Sequence, residues 1–228
     1  MAEDESERWR GNWARLRFAV VGPLLAAPPG LDLLYTDVAH GPLVDVIADA
    51  HDLPFAAASF DAVFAVSVLE HVLEPARCVA ECHRVLVDGG FVYAVTPFIK
   101  PVHLGCYDFT RFTPLGHRML LRGFDEVASG LSGGAGSALS WTLESFASAL
   151  ARGRWPRAAL GLAARVAGLV PRGLDRRTMR RAGGWDGACA HVFVGAKRAE
   201  PLEARALLAA YRGAGSPRPP STTATIAG

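Results

Sequence analysis

The sequence has little of what marks several large classes of protein. Its 228 residues contain four cysteines without the compact spacing of a disulfide framework. No run reaches the roughly 18 uninterrupted apolar residues that a membrane-spanning helix needs. The first residues, MAEDESERWRGNW, are charged where a secretory signal would be apolar. We therefore expect a soluble protein of the reducing cytoplasm.

The sequence also has little excess charge of either sign, because 24 basic residues nearly balance 22 acidic ones and the net charge is +2. A chain so close to neutrality is not expected to bind nucleic acid through a general electrostatic surface. Apolar residues make up 50% of the sequence, which favours an ordered domain with a sizeable core.

Short apolar runs alternate with helical patterns and predict an α/β domain with a mostly parallel, Rossmann-like sheet. A helix over Glu70–Val87, stopped by Asp88-Gly89-Gly90, would connect two parallel neighbours. Another helix is expected from Thr113-Pro114 to about Arg122. The predicted strands are Arg17–Gly22, Asp32–Asp37, Val44–Ala48, Phe60–Val68, Phe91–Thr96, Phe124–Ser129 and Cys189–Lys197.

The same pattern divides the chain into an arm, a main domain and a tail. The predicted parts are an N-terminal arm (1–16), a domain (17–198) with a helical insert before its last strand (138–186), a C-terminal helix (199–212) and a disordered tail (213–228).

In such sheets ligands bind beyond the carboxyl ends of the strands. Asp37 closes the second strand, where a carboxylate can accept hydrogen bonds from both ribose hydroxyls. A turn-forming aspartate explains it equally well. Asp49 and Ala50 follow the third strand, where a carboxylate can accept a hydrogen bond from an exocyclic amine such as that of adenine. An ordinary polar loop is the alternative.

Ser67, Val68 and Leu69 run off the fourth strand toward Glu70 and His71. Glu70 is expected at the start of a helix, where the helix dipole favours an acid. His71 is a candidate base, although a histidine at this place is more often structural.

Four motifs in order make the run from Val44 to Phe98 resemble class I S-adenosylmethionine-dependent methyltransferases, in particular the type 11 branch. They are D-A-x-x-L-P-F (Asp49–Phe55), S-F-D (Ser59–Asp61), L-E-H-V (Leu69–Val72) and R-V-L-x-x-G-G (Arg84–Gly90).

The resemblance implies a seven-stranded sheet with its last strand antiparallel and S-adenosyl-L-methionine as cofactor. It assigns the ribose to Asp37 and the adenine to Asp49 and Ala50. The methionine end and the substrate are assigned to Ser67, Val68 and Leu69.

The chain departs from this family after the first strand, where a glycine-rich loop normally receives the methionyl part of the cofactor. Here Gly22 stands alone and is followed by proline. Either the N-terminal part is altered or truncated, or Arg17–Gly22 is not the first strand. A member without catalytic activity, kept as a binding or scaffold protein, is the alternative to an enzyme.

The loop after the fifth strand offers weaker candidates. Arg111 can bind a carboxylate or phosphate of a substrate, and Tyr107 or His103 can orient an acceptor. A loop held in place by Phe109 and Phe112 explains the same residues.

No metal site is predicted. Cys78 and Cys82 share a helix with His83, but no second pair completes four ligands, so core packing is favoured. The glycines of Gly133-Gly134-Ala135-Gly136 lack the Lys-Ser/Thr of a phosphate loop and are interpreted as a flexible hinge.

The helical insert is strongly basic, with nine arginines between positions 152 and 181 against one acid, Asp175. A basic helix with an apolar face can lie on an anionic membrane or dock a partner. A lid with a solvated basic face is the simpler interpretation.

These observations predict methyl transfer from S-adenosylmethionine to a small-molecule, lipid or glycan acceptor. The alternatives are an inactive relative and a protein that binds membranes or partners through 152–181.

Overall fold

The computed structural model describes the backbone of residues 17–21 and the whole of residues 32–216. The predicted N-terminal arm, Gly22 and the larger part of the predicted tail lie outside these ranges.

Seven strands form one mixed sheet in the order β3-β2-β1-β4-β5-β7-β6. Strands β1 to β5 pair in parallel, and β7 runs antiparallel to both of its neighbours. The Rossmann-like α/β class and the antiparallel last strand are thereby confirmed. The strands are β1 (Arg17–Val21), β2 (Asp32–Asp37), β3 (Val46–Ile47), β4 (Phe60–Val66), β5 (Leu86–Pro97), β6 (Phe124–Leu131) and β7 (Ala190–Lys197).

Strand β1 lies between β2 and β4, with Val21 in register with Thr36 on one side and Ala65 on the other. The alternative in which Arg17–Gly22 is not the first strand is therefore wrong. The connection from β1 to β2 spans ten positions, which lie outside the described residues.

Six α-helices are present in the described residues, together with 3-10 helices at Gly105–Tyr107 and Ala204–Ala210. The second 3-10 helix stands where a final α-helix over 199–212 was predicted. The α-helices are α1 (Pro75–Val85), α2 (Pro114–Leu120), α3 (Ala135–Leu150), α4 (Arg154–Gly173), α5 (Asp175–Thr178) and α6 (Ala182–Asp186).

The helix predicted over Glu70–Val87 is shorter than expected. It begins at Pro75, because proline is favoured in the first turn and disfavours helical backbone in the residue before it. Residues 70–74 form turns instead, so Glu70 is not at a helix start. The chain then passes directly into β5 at Leu86, and Gly89, at φ +74°, lies inside that strand rather than ending the helix.

The main core lies between the sheet and helix α1. Val63 and Val92 of the sheet pack with Cys78, Cys82 and Val85 of the helix, and all are buried. The cluster continues through Leu121 to Phe124 at the start of the edge strand β6. Burial of these side chains packs the middle of β4 and β5 against helix α1, and the candidate site lies at the carboxyl ends of the same strands.

Helices α3 and α4 form a close hairpin between β6 and β7. A Cβ on Gly136 would lie 1.9 Å from the carbonyl oxygen of Pro171, and one on Gly168 would lie 2.9 Å from Ser140. The glycines from 133 to 136 therefore permit close packing at the start of α3, and the flexible-hinge interpretation is wrong.

Candidate functional site

The carboxyl ends of the parallel strands define the candidate site. The chain runs outward from β1 to β3 on one side and returns to β4 on the other, so the strand order reverses between β1 and β4. Parallel sheets bind ligands in the crevice at such a switch point.

Asp37 and Asp49 lie next to each other along this edge. The backbone N–H of Ala48 donates to the carbonyl oxygen of Asp37 at 2.9 Å, which ties the end of β3 to the end of β2. Asp37 is half-buried, and its Oδ1 accepts a hydrogen bond from the N–H of Ala39 at 3.1 Å. The structure thus brings together the two residues predicted to hold ribose and adenine.

The carboxylate of Asp49 is exposed, whereas Ala50 is buried in the main core. Oδ1 of Asp49 accepts from the backbone N–H of His51 at 2.9 Å and contacts the ring Nδ1 at 2.6 Å. The backbone hydrogen bond, with the ring contact, lowers the pKa of Asp49, so this carboxylate stays charged and able to accept.

Beyond β4 the chain turns sharply. Ser67 adopts φ +53°, a left-handed conformation that is uncommon for serine, and its N–H donates to the carbonyl of Val95. Ser67 and Val68 are half-buried, whereas the side chain of Leu69 is buried in the core. Leu69 can therefore face a ligand through its backbone alone.

Glu70, which follows, is the unexpected element of the site. Its side chain is fully buried, and neither carboxylate oxygen has a hydrogen-bond partner. Burial raises the pKa of Glu70, because the charged form loses its hydration.

The three weak catalytic candidates converge beside Glu70. Nδ1 of His71 donates to the backbone carbonyl of Tyr107 at 2.7 Å, and Nε2 of His71 lies 3.1 Å from Nε2 of His103. The phenol ring of Tyr107 is exposed, so Tyr107 takes part through its main chain. Burial, with the nearby Lys100 charge, lowers the pKa of His103 and favours its neutral form.

Arg111 is occupied within its own loop. Its guanidinium pairs with both carboxylate oxygens of Asp108 and donates to the backbone carbonyls of Lys100, Pro101 and Thr110. The hydrogen bond from Arg111 holds the pKa of Asp108 well below its usual range. Arg111 therefore braces its own loop, and its binding of a substrate anion stays a prediction.

Cys78 and Cys82 belong to the core. Both thiols are buried, and burial raises the pKa of each to about 12, so neither offers a thiolate ligand. His83 of the same helix donates through Nε2 to the carbonyl of Arg198 at 2.9 Å. The arrangement is the core packing favoured from the sequence.

A methyltransferase domain family matches this part of the chain. Its model covers residues 30–94, from the start of β2 to the middle of β5. The resemblance to class I S-adenosylmethionine-dependent methyltransferases is thereby confirmed over the strands that carry Asp37, Asp49 and Ser67. S-adenosyl-L-methionine is the cofactor that this match supports.

Solved structures resemble the chain more distantly. An S-adenosylmethionine-dependent methyltransferase from Archaeoglobus fulgidus is 14% identical with a TM-score of 0.47, and the match covers 86% of this chain and 93% of that one. Phosphoethanolamine N-methyltransferase 2 of Haemonchus contortus, solved with S-adenosylhomocysteine, is 13% identical with a TM-score of 0.47 over 84% and 51%. The [4+2]-cyclase SpnF is 17% identical with a TM-score of 0.44 over 82% and 75%. Likenesses at this level do not assign an activity.

Polar groups of the described residues gather at this edge, as a bound nucleoside requires. Asp37 ends β2 and Asp49 follows β3, and the N–H of Ala48, next to Asp49, donates to the carbonyl oxygen of Asp37. The orphaned hydroxyl of Thr96, fully buried near the end of β5, marks the same edge as polar. Gly22, the one glycine at the position of the family's glycine-rich loop and the candidate there for contact with the cofactor, lies outside the described residues.

Sequence reasoning missed the burial of Glu70 and the role of Asp108. The L-E-H-V motif placed Glu70 at a helix start, where an acid would be solvated. Pro75 was the signal that this helix begins later. Asp108, three residues before Arg111, has the spacing of a local ion pair.

Proposed function

We propose that the protein transfers a methyl group from S-adenosyl-L-methionine to a small-molecule, lipid or glycan acceptor. The observation that carries this proposal is that the family match over residues 30–94 falls on the strands whose carboxyl ends present Asp37 and Asp49 at the topological switch point.

When bound, the cofactor supplies an electrophilic methyl group on a positive sulfur. Asp37 would accept hydrogen bonds from the ribose, and Asp49 would face the adenine. Ser67 and Val68 would border the methionine end, and His71 with His103 would face the acceptor. Displacement at such a methyl group chiefly needs proximity and orientation, and the carboxyl ends of β4 and β5 provide both.

Free thiols support the cytoplasmic setting that forms part of this proposal. The four cysteines are all unpaired, which suits a reducing compartment. Within 17–21 and 32–216, no helix has both the length and the apolar character to cross a membrane.

Asp37→Ala should weaken the binding of S-adenosylhomocysteine by about 10-fold to 100-fold, because a charge-assisted hydrogen bond contributes about 1.5–3 kcal/mol. Asp49→Ala should weaken it less, since the carboxylate of Asp49 is exposed and shared with His51. Isothermal titration calorimetry measures both effects.

Asp88→Ala is the matched control, because the carboxylate of Asp88 is fully exposed and makes one long contact, 3.6 Å, with Lys197. It should leave affinity unchanged. If folded wild-type protein gives no heat of binding with millimolar S-adenosylhomocysteine, the proposed methyl transfer is wrong. This result would favour the alternative of a member without catalytic activity, which the lone Gly22 suggests.

The exposed surface of α4 favours a second candidate function, contact with an anionic membrane surface. Leu162, Leu169 and Val170 are all more than 60% exposed, and Trp155 is 77% exposed. Arginines flank these side chains from position 152 to 181. A helix with this composition binds a membrane by placing its apolar side chains among lipid headgroups.

The wild-type protein should then sediment with vesicles that contain phosphatidylglycerol and not with pure phosphatidylcholine. Leu169→Glu should abolish sedimentation, because it places an acid on the apolar surface, whereas Val127→Glu, at an exposed position on β6, should not. Equal sedimentation of both variants, or none of the wild type at low salt, would rule this function out.

A further inference from the structure

Three side-chain donors meet beside the end of β4. Oε1 of Glu70, Nε2 of His71 and Nε2 of His103 lie within 4.8 Å of one another. The residues come from two segments, the turns after β4 and the loop after β5. The fold therefore assembles a set of two imidazoles and one carboxylate, which is a frequent ligand set for zinc and for other first-row divalent ions.

The distances within this triad suit a single ion. The two Nε2 atoms are 3.1 Å apart, and they lie 3.7 and 3.6 Å from Oε1 of Glu70. A triangle with these sides has a circumscribed radius of about 2.0 Å, so one point is equally close to all three atoms. Zinc bonds to histidine nitrogen and to carboxylate oxygen are about 2.0–2.2 Å long.

The second ring nitrogens are placed as metal ligands require. Nδ1 of His71 faces the carbonyl of Tyr107 at 2.7 Å, and a carbonyl only accepts, so this nitrogen carries the proton and leaves a lone pair on Nε2. Nδ1 of His103 accepts a hydrogen bond from Nη2 of Arg111 at 3.4 Å and lies 3.2 Å from Oδ2 of Asp108, to which it would donate once an ion occupies Nε2. Metal-binding histidines usually donate to such a carbonyl or carboxylate.

Glu70 supplies an independent indication of a ligand. Its carboxylate is fully buried, and both oxygens lack hydrogen-bond partners. A buried carboxylate without donors is costly, and a bound cation would stabilise it. The side chains of His71 and His103 remain 16% and 32% exposed, so an ion can reach the triad from solvent.

We propose that Glu70, His71 and His103 bind one zinc ion, with the carbonyl of Tyr107 and the carboxylate of Asp108 orienting the two imidazoles. Three protein ligands leave at least one coordination position for water or for an oxygen of a bound molecule. The inference departs from the sequence prediction that the chain holds no metal. It does not rest on the proposed methyl transfer, because the ligand geometry belongs to the folded chain itself.

Cobalt(II) is a suitable probe, since it takes the place of zinc in such sites and absorbs visible light when four-coordinate. Chelator-treated wild-type protein should develop visible bands that saturate at one cobalt per chain, and added zinc should remove them. His71→Ala and His103→Ala should each weaken cobalt binding at least about 10-fold. Asp108→Asn should weaken it less, because Asp108 orients a ligand and does not bind the ion.

Two matched variants separate this site from adventitious binding. His40→Ala removes an exposed histidine elsewhere, and Cys106→Ser removes the exposed thiol of the same loop; neither should alter the titration. Glu70→Gln keeps the shape of the buried side chain and should also weaken cobalt binding. It tests the site even if a histidine variant does not fold.

Saturation with unchanged affinity in folded His71→Ala and His103→Ala would overturn the proposal. So would the lack of any saturable absorption in wild-type protein at millimolar cobalt. Calorimetry with S-adenosylhomocysteine on the same variants keeps the two proposals apart, because loss of cobalt binding with normal nucleoside binding concerns the metal site alone.

Discussion

Asp175→Ala should lower the free energy of unfolding by about 3–5 kcal/mol. Asp175 is 7% exposed, and its carboxylate accepts hydrogen bonds from the backbone N–H groups of Gly134, Gly136 and Ser137 at 3.2, 2.7 and 2.9 Å. The Ser137 hydroxyl adds a fourth at 2.6 Å. The carboxylate of α5 therefore caps the first turn of α3 from about 40 positions away, and alanine leaves these buried donors unpaired.

Urea unfolding followed by circular dichroism measures this loss. Asp175→Asn should lose less than alanine, because its amide oxygen still accepts while the charge is gone, and Asp88→Ala should stay within about 0.5 kcal/mol of wild type. If the hairpin of α3 and α4 unfolds locally, before the rest of the domain, faster hydrogen exchange in residues 135–150 reports the loss of stability in Asp175→Ala. An Asp175→Ala variant as stable and as protected as wild type would show that the cap does not hold α3.

Mild acid should destabilise the protein by about 2 kcal/mol for each of two buried histidines between pH 7 and pH 5. Burial lowers the pKa of His117 to about 3 and that of His191 to about 4. Nε2 of His117 and Nδ1 of His191 have no hydrogen-bond partner, and both rings border a cavity of about 30 Å³ that Arg118 and Arg212 also line. The acidic groups near these rings are Glu126, which already pairs with both arginines, and Asp186, whose charge opposes the lowering of the pKa of His191 without outweighing burial.

The direction follows from proton counting. Below the ordinary histidine pKa of 6.5, His117 and His191 are protonated in the unfolded chain but not in the folded chain. The free energy of unfolding therefore falls as the pH falls from 6.5 toward their pKa values in the folded chain, about 3 and about 4. His103, whose pKa is also lowered, adds a smaller loss because it is partly exposed. Glu70 acts in the opposite direction, since its raised pKa favours proton uptake by the folded chain.

Measuring between pH 7 and pH 5 separates the effect of the buried histidines from that of three carboxylates with lowered pKa values. Asp49, Glu81 and Asp108 lose their contribution to stability only in stronger acid. Urea unfolding at several pH values gives the slope of the free energy of unfolding against pH. In His117→Asn this slope should be smaller than in the wild type by up to about 1.4 kcal/mol per pH unit. The exposed-site variant His40→Ala should keep the wild-type slope. A wild-type stability that is flat across this window would contradict the prediction.

The sequence predicts best what depends on local pattern. Near-continuous apolar runs give the strands, and Asp37 at the end of β2 and Asp49 beyond β3 fall at the edge where parallel sheets generally bind ligands. The number of strands and the antiparallel β7 came from the resemblance, whereas the order of the strands is known from the structure alone, since strand pairing is not visible in periodicity. The bounds of β3 shrank to two residues, because only Thr36 and Asp37 of β2 pair with it.

The remaining features depend on contacts between distant segments. The cap from Asp175 to Gly136 joins positions 39 apart, and His71 meets His103 across 32 positions. No local sequence pattern predicts either contact. The misjudged glycines at 133–136 show the same limit, because whether a glycine bends or packs closely is decided by its neighbour, here Pro171.

The position of β7 has a consequence for the order in which the nascent chain can fold. Strands β5 and β6 have no direct pairing, because β7, synthesised about 60 residues after β6, is inserted between them and bonds to both. Until residue 197 leaves the ribosome, one side of β5 and the whole of β6 await their hydrogen-bonding partner. Such unpaired strand edges invite aggregation, so a ribosome-associated chaperone would find its clearest target in chains stalled between positions 131 and 190.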